Sequence, residues 1–330
     1  MLILFTLLHF LVDGICGAVL AVYAINQPFM EPIIYYFGLY NAFAFGTQWL
    51  TGLLFDRKGN WLRGSFLFAA LALGAGSIPS LGIGAQAVLL GIGNSVFHVA
   101  AGSLVLQRYQ TFKELGIFVS SGAVGLALGL NSIVGPYPFL AACIVLSVLA
   151  TWQLKDEGEP ELSPAAPASA DSLTGSVAVC LILLLGCIVL RGLGSGSTAS
   201  PYVMLFPCVF AAGKALGGIL CDRAGYRNTI LYIFLLCFAA LQISGLLAPV
   251  LLVLAFNMTM PLTLRLAHWC NPKYPGMMFG LAAGCLLPGV YYRGFSIAPQ
   301  AMAVLQFLSL AAAGYLLWKQ TGRPDSRETE

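Results

Sequence analysis

Charged residues are scarce in this chain: only 9% of its 330 residues are Asp, Glu, Lys or Arg, against about 25% in a soluble domain. Apolar residues make up 59%, and the mean hydropathy is +0.87. An ordinary water-soluble fold and a disordered chain are therefore excluded, and a net charge of +3 offers no basic surface to nucleic acid. Long continuous apolar runs predict an all-α membrane protein, because hydrocarbon requires every backbone polar group to be paired internally.

Motifs for covalent or metal chemistry are also lacking. The nine cysteines include no CxxC pair, so neither a disulfide framework nor a zinc site is predicted. No Gly-x-x-x-x-Gly-Lys-Ser/Thr phosphate loop is present, which argues against ATP-driven transport. An intramembrane enzyme would need paired carboxylates, a metal cluster or an activated nucleophile, and the sequence offers only isolated candidates. We therefore expect no enzymatic activity, no metal and no cofactor.

Apolar runs and the residues that break them predict twelve transmembrane helices. The predicted spans are 1–23, 31–55, 62–78, 83–106, 114–134, 137–154, 176–193, 200–221, 227–245, 247–265, 274–292 and 297–319. The first run lacks a basic n-region and is interrupted by His9 and Asp13, so it is interpreted as a span and not as a signal peptide.

One long hydrophilic stretch divides the chain. It is rich in Pro, Ala, Ser and acidic residues, which is typical of a flexible linker. The expected organisation is an N-terminal six-helix bundle, a cytoplasmic linker, a C-terminal six-helix bundle and a cytoplasmic tail, at 1–154, 155–175, 176–319 and 320–330.

Basic residues predict the orientation in the membrane. If the N-terminus is cytoplasmic, all lysines and arginines lie in inner loops or the tail except Arg191, Lys214 and Arg293. Cytoplasmic loops carry such an excess of positive charge. The sequence therefore predicts a multi-pass protein with both termini in the cytoplasm, and its compact loops favour a prokaryotic inner membrane. Two six-span halves in one chain make a monomer sufficient.

An internal repeat supports the division into halves. The sequence Gly52-Leu-Leu-Phe-Asp56-Arg57-Lys-Gly59 returns as Gly218-Ile-Leu-Cys-Asp222-Arg223-Ala-Gly225, followed by Arg227. The two copies lie about half a chain apart, each after the second span of its half. Internal duplication with polar residues near the midplane is the signature of a secondary transporter.

The two Gly-x-x-x-Asp-Arg-x-Gly copies resemble the signature loop of the major facilitator superfamily, and with twelve spans the resemblance covers the whole chain. It implies that Asp56 faces the start of the eleventh span near Tyr274–Gly276, and that Asp222 faces the start of the fifth near Glu114–Gly116. Such contacts would close the inner gate while the outer side is open. The alternative is that Asp and Arg merely cap helices. His9-x-x-x-Asp13 and Phe97-His98 are also similar to fosmidomycin-resistance-type transporters, although Val99 stands where those have proline.

Ionisable groups inside spans are functional candidates, because burying them in hydrocarbon is costly. Asp13 lies about 18 Å along the first span, near the midplane. His9 is one turn away on the same face, so the pair could carry or relay a proton. The alternative is a static pair that joins two helices.

Other polar groups extend this list. Lys214 is interpreted as an anion-binding group or a counter-charge to Asp13, or as a snorkelling lysine. Arg191 would bind an anionic substrate or anchor the outer surface. His98 and Asn94 share a face of the fourth span and could line the cavity, whereas the alternative for His98 is a neutral core histidine. Weaker cavity candidates are Asn41, Gln48 and Asn257.

Together these features predict a proton-coupled secondary transporter of a small, anionic or polar organic solute, with alternating access between two bundles. Its partners would be that solute, protons and the lipid bilayer. Two alternatives use the same fold: a multidrug or antibiotic efflux antiporter, and a lipid or lysolipid flippase. The sequence does not separate uptake from efflux.

Overall fold

The computed structural model describes residues 1–26, 30–58, 61–156, 175–194, 202–291 and 298–321. In those ranges the regular structure is helical. The bounds, in chain order, are α1 Leu2–Ile25, α2 Met30–Asn41, a π-helical segment Ala42–Gly46, α3 Gln48–Arg57, α4 Trp61–Gly76, α5 Ile83–Arg108, α6 Phe112–Leu130, α7 Pro136–Asp156, α8 Gly175–Gly194, α9 Leu205–Ala224, α10 Tyr226–Ala240, α11 Leu247–Cys270, α12 Pro275–Gly284, α13 Leu287–Tyr291 and α14 Pro299–Thr321. The predicted linker falls almost entirely outside the described residues, as does most of the tail.

Eight of these described helices are long and apolar enough to cross a membrane: α1, α5, α6, α7, α8, α9, α11 and α14. The helices α4 and α10 are apolar but shorter. Within a helix the backbone N–H and C=O groups pair with one another except at its ends, which is what a hydrocarbon solvent demands. The chain is thus an all-helical, multi-pass integral membrane protein.

Two predicted spans are interrupted. The second is divided by the π-helical segment, whose altered register frees backbone carbonyl oxygens. Side chains recover them: the Thr47 hydroxyl donates to the Phe43 carbonyl at 2.6 Å, and the Gln48 amide donates to the Ala44 carbonyl at 2.6 Å. The eleventh breaks between α12 and α13, just before Pro288, which has no N–H to continue a helix.

The tenth predicted span ends too early at residue 265. The helix α11 runs on to Cys270, so Arg265 and His268 lie inside it and are buried. Positive charge had suggested a loop at this point, but packing against the rest of the fold accommodates both side chains. Because of this extension, Arg265 lies on α11, where its side chain contacts the first half of the chain.

The buried apolar residues form two clusters, one mainly in each half of the chain, and each cluster also takes residues from the other half. In the first half, α1 packs against α5, α6 and α7 around Phe5, Leu8 and Phe118. In the second half, α11 packs against α8, α9 and α10 around Phe256 and Leu266. The halves meet chiefly where α6 packs on α9 and where α3 packs on α12. None of the nine cysteines forms a disulfide.

Candidate functional site: a carboxylate between two histidines

Asp13 lies between two imidazole rings inside the first half of the chain. His9 Nε2 is 3.3 Å from Asp13 Oδ2, and His98 Nε2, from α5, is 3.6 Å from Asp13 Oδ1. The Asn94 side-chain amide donates to the same Oδ1 at 3.0 Å. The His9 and Asp13 side chains meet because they are one turn apart on α1, and His98 and Asn94 are likewise one turn apart on α5. We call these four residues the Asp13 cluster.

Backbone carbonyls fix which nitrogen of each histidine carries a hydrogen. His9 Nδ1 lies 2.8 Å from the Phe118 carbonyl oxygen, and His98 Nδ1 lies 2.9 Å from the Asn94 carbonyl oxygen. A carbonyl oxygen only accepts, so Nδ1 must be the donor in both rings. In a neutral ring Nε2 then presents a bare lone pair to the carboxylate. Each Nε2–oxygen contact is attractive only if a proton or another cation lies there.

The cluster is nearly enclosed but not sealed. The side-chain exposures are 6% for His9, 11% for His98 and 17% for Asp13. Gly122 of α6 faces the pair, and a Cβ at that position would strike both Asp13 Oδ2 and His9 Nε2. The Asn94 side-chain oxygen is buried and has no hydrogen-bond partner. The carboxylate therefore retains a small exposed area, and one polar atom beside it is left without a partner.

Two cations of the second half lie close to each other, and one of them interacts with Asp13. Lys214 of α9 is close enough to Asp13 and to Arg191 for their charges to interact. Arg191 of α8 is only 3% exposed and donates to the Thr263 hydroxyl of α11 at 3.1 Å. The interpretation of Arg191 as an outer-surface anchor is therefore wrong, because the side chain turns into the bundle. Thus negative charge lies in one half of the chain and positive charge in the other.

The weaker cavity candidates do not join the Asp13 cluster. The amides of Gln48 and Asn257 both donate to carbonyls of their own segments, at 2.6 Å to Ala44 and 2.9 Å to Val253. Asn41 is half-buried at the end of α2. A role for these three residues in substrate binding stays a prediction.

The two repeated loops make matching contacts across the two halves. Asp56, at the end of α3, accepts from the N–H groups of Gly276 and Met277 at the start of α12, both at 2.8 Å. Asp222, at the end of α9, accepts from the N–H groups of Phe112 and Lys113 at the start of α6, at 2.9 and 2.8 Å. A carboxylate suits a helix N-terminus, where free N–H groups and the helix dipole favour negative charge. We call this end of the molecule the motif end.

The resemblance had placed the partner of Asp222 near Glu114–Gly116, two residues too late. The helix α6 begins at Phe112, and only the first turn of a helix has free N–H groups. The expected partner of Asp56, near Tyr274–Gly276, agrees with the observed donor Gly276.

The motif glycines allow the helices to touch. A Cβ on Gly52 would overlap the Gly276 backbone, and a Cβ on Gly218 would overlap the Phe112 carbonyl oxygen. Gly225 has a φ of 82°, which favours glycine. Arg57, Arg223 and Arg227 are exposed, and the Arg227 guanidinium lies 4.3 Å from the Trp318 ring centre. Gly59 lies outside the described residues.

Asparagine at either motif aspartate is expected to loosen one helix start only. An amide retains one acceptor oxygen and no charge, so both N–H groups lose their charged partner and one of them loses its acceptor; a hydrogen bond to a charged group is worth about 1.5–3 kcal/mol. Asp56→Asn should speed hydrogen exchange of the Gly276 and Met277 amides about tenfold or more, and Asp222→Asn that of the Phe112 and Lys113 amides. Mass spectrometry of the two peptides measures this. Each variant is the control for the other, and equal changes at both sites would contradict independent contacts.

Sequence reasoning missed the most buried cation. Arg265 is fully buried in α11, and its guanidinium donates to the carbonyls of Leu106, Tyr109 and Thr111, at 2.9, 2.5 and 2.9 Å. These carbonyls belong to the end of α5 and the loop before α6, so Arg265 joins the two halves at the motif end. The available signal was an arginine three residues before His268 in a continuous apolar run.

Comparisons with known proteins point to one fold. No family model matches the chain, and no curated protein matches it by sequence. Among solved structures, the Escherichia coli fucose:proton symporter FucP is 13% identical, with a TM-score of 0.64 over 96% of this chain and 97% of its own. A bacterial homologue of the iron transporter ferroportin, in an outward-facing state, is 13% identical, with a TM-score of 0.58 over 98% and 99%.

The fold and the motif contacts therefore define this protein as a polytopic helical membrane protein whose two halves meet through a pair of repeated loops. More narrowly, the chain has the fold of the major facilitator superfamily, as its two signature loops predicted. Similarity to fosmidomycin-resistance-type transporters stays a prediction.

Proposed function

We propose that this protein is a proton-coupled secondary transporter of a small anionic or polar organic solute. The observation that carries the proposal is the Asp13 cluster, in which two Nε2 atoms face one carboxylate at 3.3 and 3.6 Å. A proton bound between a ring and the carboxylate would make either contact attractive, because both Nδ1 atoms already donate to carbonyls and leave the Nε2 lone pairs facing Asp13. Solved structures with the same fold include a fucose:proton symporter.

Charge complementarity gives the coupling a physical basis. When the carboxylate is ionised, Lys214 of the other half interacts with it. When the cluster gains a proton, that attraction weakens, and Lys214, whose charge also interacts with that of Arg191, becomes available to an anionic group of the substrate. Protonation thus changes both the affinity for solute and the attraction between the halves. The polar residues His98 and Asn94 would contact the solute from the first half.

Alternating access follows from the two motif contacts and Arg265. All of them join the halves at the motif end, so their presence defines a state closed at that end. We place the motif end at the cytoplasmic face of a prokaryotic inner membrane, with twelve spans in two six-helix bundles and one chain as the working unit. Opening this end must break the contacts of Asp56, Asp222 and Arg265, and nothing in those contacts requires a cofactor.

Loss of the Asp13 carboxylate is expected to abolish coupling. In liposomes with an internal pH dye, pooled organic anions and antibiotics should drive proton movement with the wild-type protein. Asp13→Asn should reduce this proton movement at least about tenfold, because an amide side chain, unlike a carboxylate, does not take up and release a proton. Glu114→Gln is the matched control, since Glu114 pairs with Lys113 at the motif end and lies outside the Asp13 cluster.

The outcomes separate the parts of the proposal. Proton movement that persists at full rate in folded Asp13→Asn protein would refute the role of the cluster. Solute uptake without proton movement in either protein would identify a uniporter and overturn proton coupling.

A further inference from the structure

The Asp13 cluster presents three metal-ligating side chains to one point. The ligand atoms of His9, Asp13 and His98 all lie within 4.8 Å of one another, and the two rings stand nearly perpendicular, with centres 4.6 Å apart. Sequence spacing concealed this, because His98 comes from α5, far along the chain from α1. We propose that this triad is a binding site for a divalent first-row transition-metal cation of the zinc type.

The distances fit such an ion. Zinc bonds to imidazole nitrogen at about 2.0–2.1 Å and to carboxylate oxygen at about 2.0–2.2 Å, so the edge of its ligand tetrahedron is about 3.4 Å. The two histidine–carboxylate separations are close to that edge, 3.3 Å from His9 to Oδ2 and 3.6 Å from His98 to Oδ1. Because they involve different oxygens, the carboxylate would bind through both of them or turn to bring one oxygen to both rings. The remaining pair, one ring nitrogen from each histidine, lies no farther apart than 4.8 Å, so a modest rotation of the rings completes the triangle.

The surroundings orient the ligands as metal sites do. A metal-binding histidine donates its other ring N–H to a carbonyl or carboxylate, which fixes the tautomer and aims the free nitrogen at the ion. Both histidines do this here, towards the Phe118 and Asn94 carbonyls. The Asn94 amide likewise orients the Asp13 carboxylate at 3.0 Å. Three protein ligands leave one position for water or a solute group.

The chemistry of the donors selects the kind of ion. Imidazole nitrogen with one carboxylate suits zinc, iron, nickel and copper, whereas magnesium and calcium prefer all-oxygen sites. The charged groups around the site are Asp13 itself, Lys214 of α9 and, beyond it, Arg191 of α8. Lys214 repels a bound cation, so the metal and the ionised lysine oppose each other across the two halves. A proton and a metal use the same lone pairs and exclude each other.

Equilibrium binding tests the site without requiring transport. The purified full-length protein, free of affinity-tag histidines and treated with chelator, is titrated in detergent at constant pH with Co²⁺, whose visible absorption reports tetrahedral coordination by nitrogen and oxygen. About one equivalent should bind, Zn²⁺ should displace it, and Mg²⁺ should not. Because this measurement is independent of solute movement, its failure and failure of the proposed transport are separate results.

Three variants and one control decide the assignment. His98→Gln and Asp13→Asn each remove a ligand and should weaken Co²⁺ binding at least about tenfold. Lys214→Met should tighten binding severalfold, which a loss of folding does not imitate. His268→Ala removes the only other histidine of the chain, on α11, and should leave binding unchanged. The proposal is overturned if the folded wild-type protein binds no Co²⁺, or if both ligand variants bind it as tightly as wild type.

Discussion

Replacing Arg265 by methionine is expected to lower the free energy of unfolding by about 3–5 kcal/mol. The variant leaves three carbonyl oxygens, of Leu106, Tyr109 and Thr111, without the guanidinium that reaches them from α11. Hydrogen bonds to a charged group contribute about 1.5–3 kcal/mol each, and buried acceptors without a donor are costly. Unfolding in mixed detergent measures the change, and Arg265→Lys should be intermediate because an ammonium reaches fewer of the three oxygens.

The matched control is Arg227→Met at the same end of the molecule. Arg227 is exposed and lies over the Trp318 ring, so its loss should cost at most about 1 kcal/mol. Equal destabilisation by the two variants would show that removal of any cation at the motif end has this effect, and would contradict the special role of Arg265.

Valine at Gly52 is expected to force α3 away from α12. The new Cβ would overlap the backbone of Gly276, which cannot move aside as a flexible side chain can. Overpacking typically costs about 1–3 kcal/mol, and contact with backbone puts this variant at the upper end of that range or above it. The separation should also break the Asp56 contacts with the Gly276 and Met277 amides, so their hydrogen exchange should accelerate together with the fall in unfolding free energy.

Gly64→Val on α4 is the matched control for this variant. No atom lies within 4 Å of a Cβ at Gly64, so the helix propensity of valine is the only difference expected there. Unchanged exchange at the start of α12 in Gly52→Val would refute the tight contact between α3 and α12.

Much of the fold follows from hydrophobicity alone. Spans are long, apolar and separated by breakers, and the repeated Gly-x-x-x-Asp-Arg-x-Gly loops mark corresponding points of the two halves. The resemblance of the signature loop implied that Asp56 faces the start of the eleventh span, and a carboxylate suits the free N–H groups at that helix start. The break at the π-helical segment was not predictable, because it depends on the Thr47 and Gln48 side chains donating to carbonyls four residues earlier.

The candidate site was only half visible in the sequence. His9 and Asp13 share a helix face, and so do Asn94 and His98, because each pair is one turn apart. That the two faces meet at one carboxylate depends on how α1 packs against α5, which no local pattern encodes. The roles of Gly122 and Arg265 depend in the same way on neighbouring helices. From the sequence alone, Gly122 is interpreted as a helix-packing glycine and Arg265 as part of a positively charged loop.

The π-helical segment Ala42–Gly46 affects the direction in which the side chains of α3 point. One residue more or less in a helix rotates the following side chains by about 100° around its axis. The segment therefore sets a fixed rotation between α2 and α3 about the helix axis. With that rotation, Gly52 and Asp56 of α3 face α12. An insertion or deletion there changes the direction of that face of α3 without altering a single residue of the signature loop.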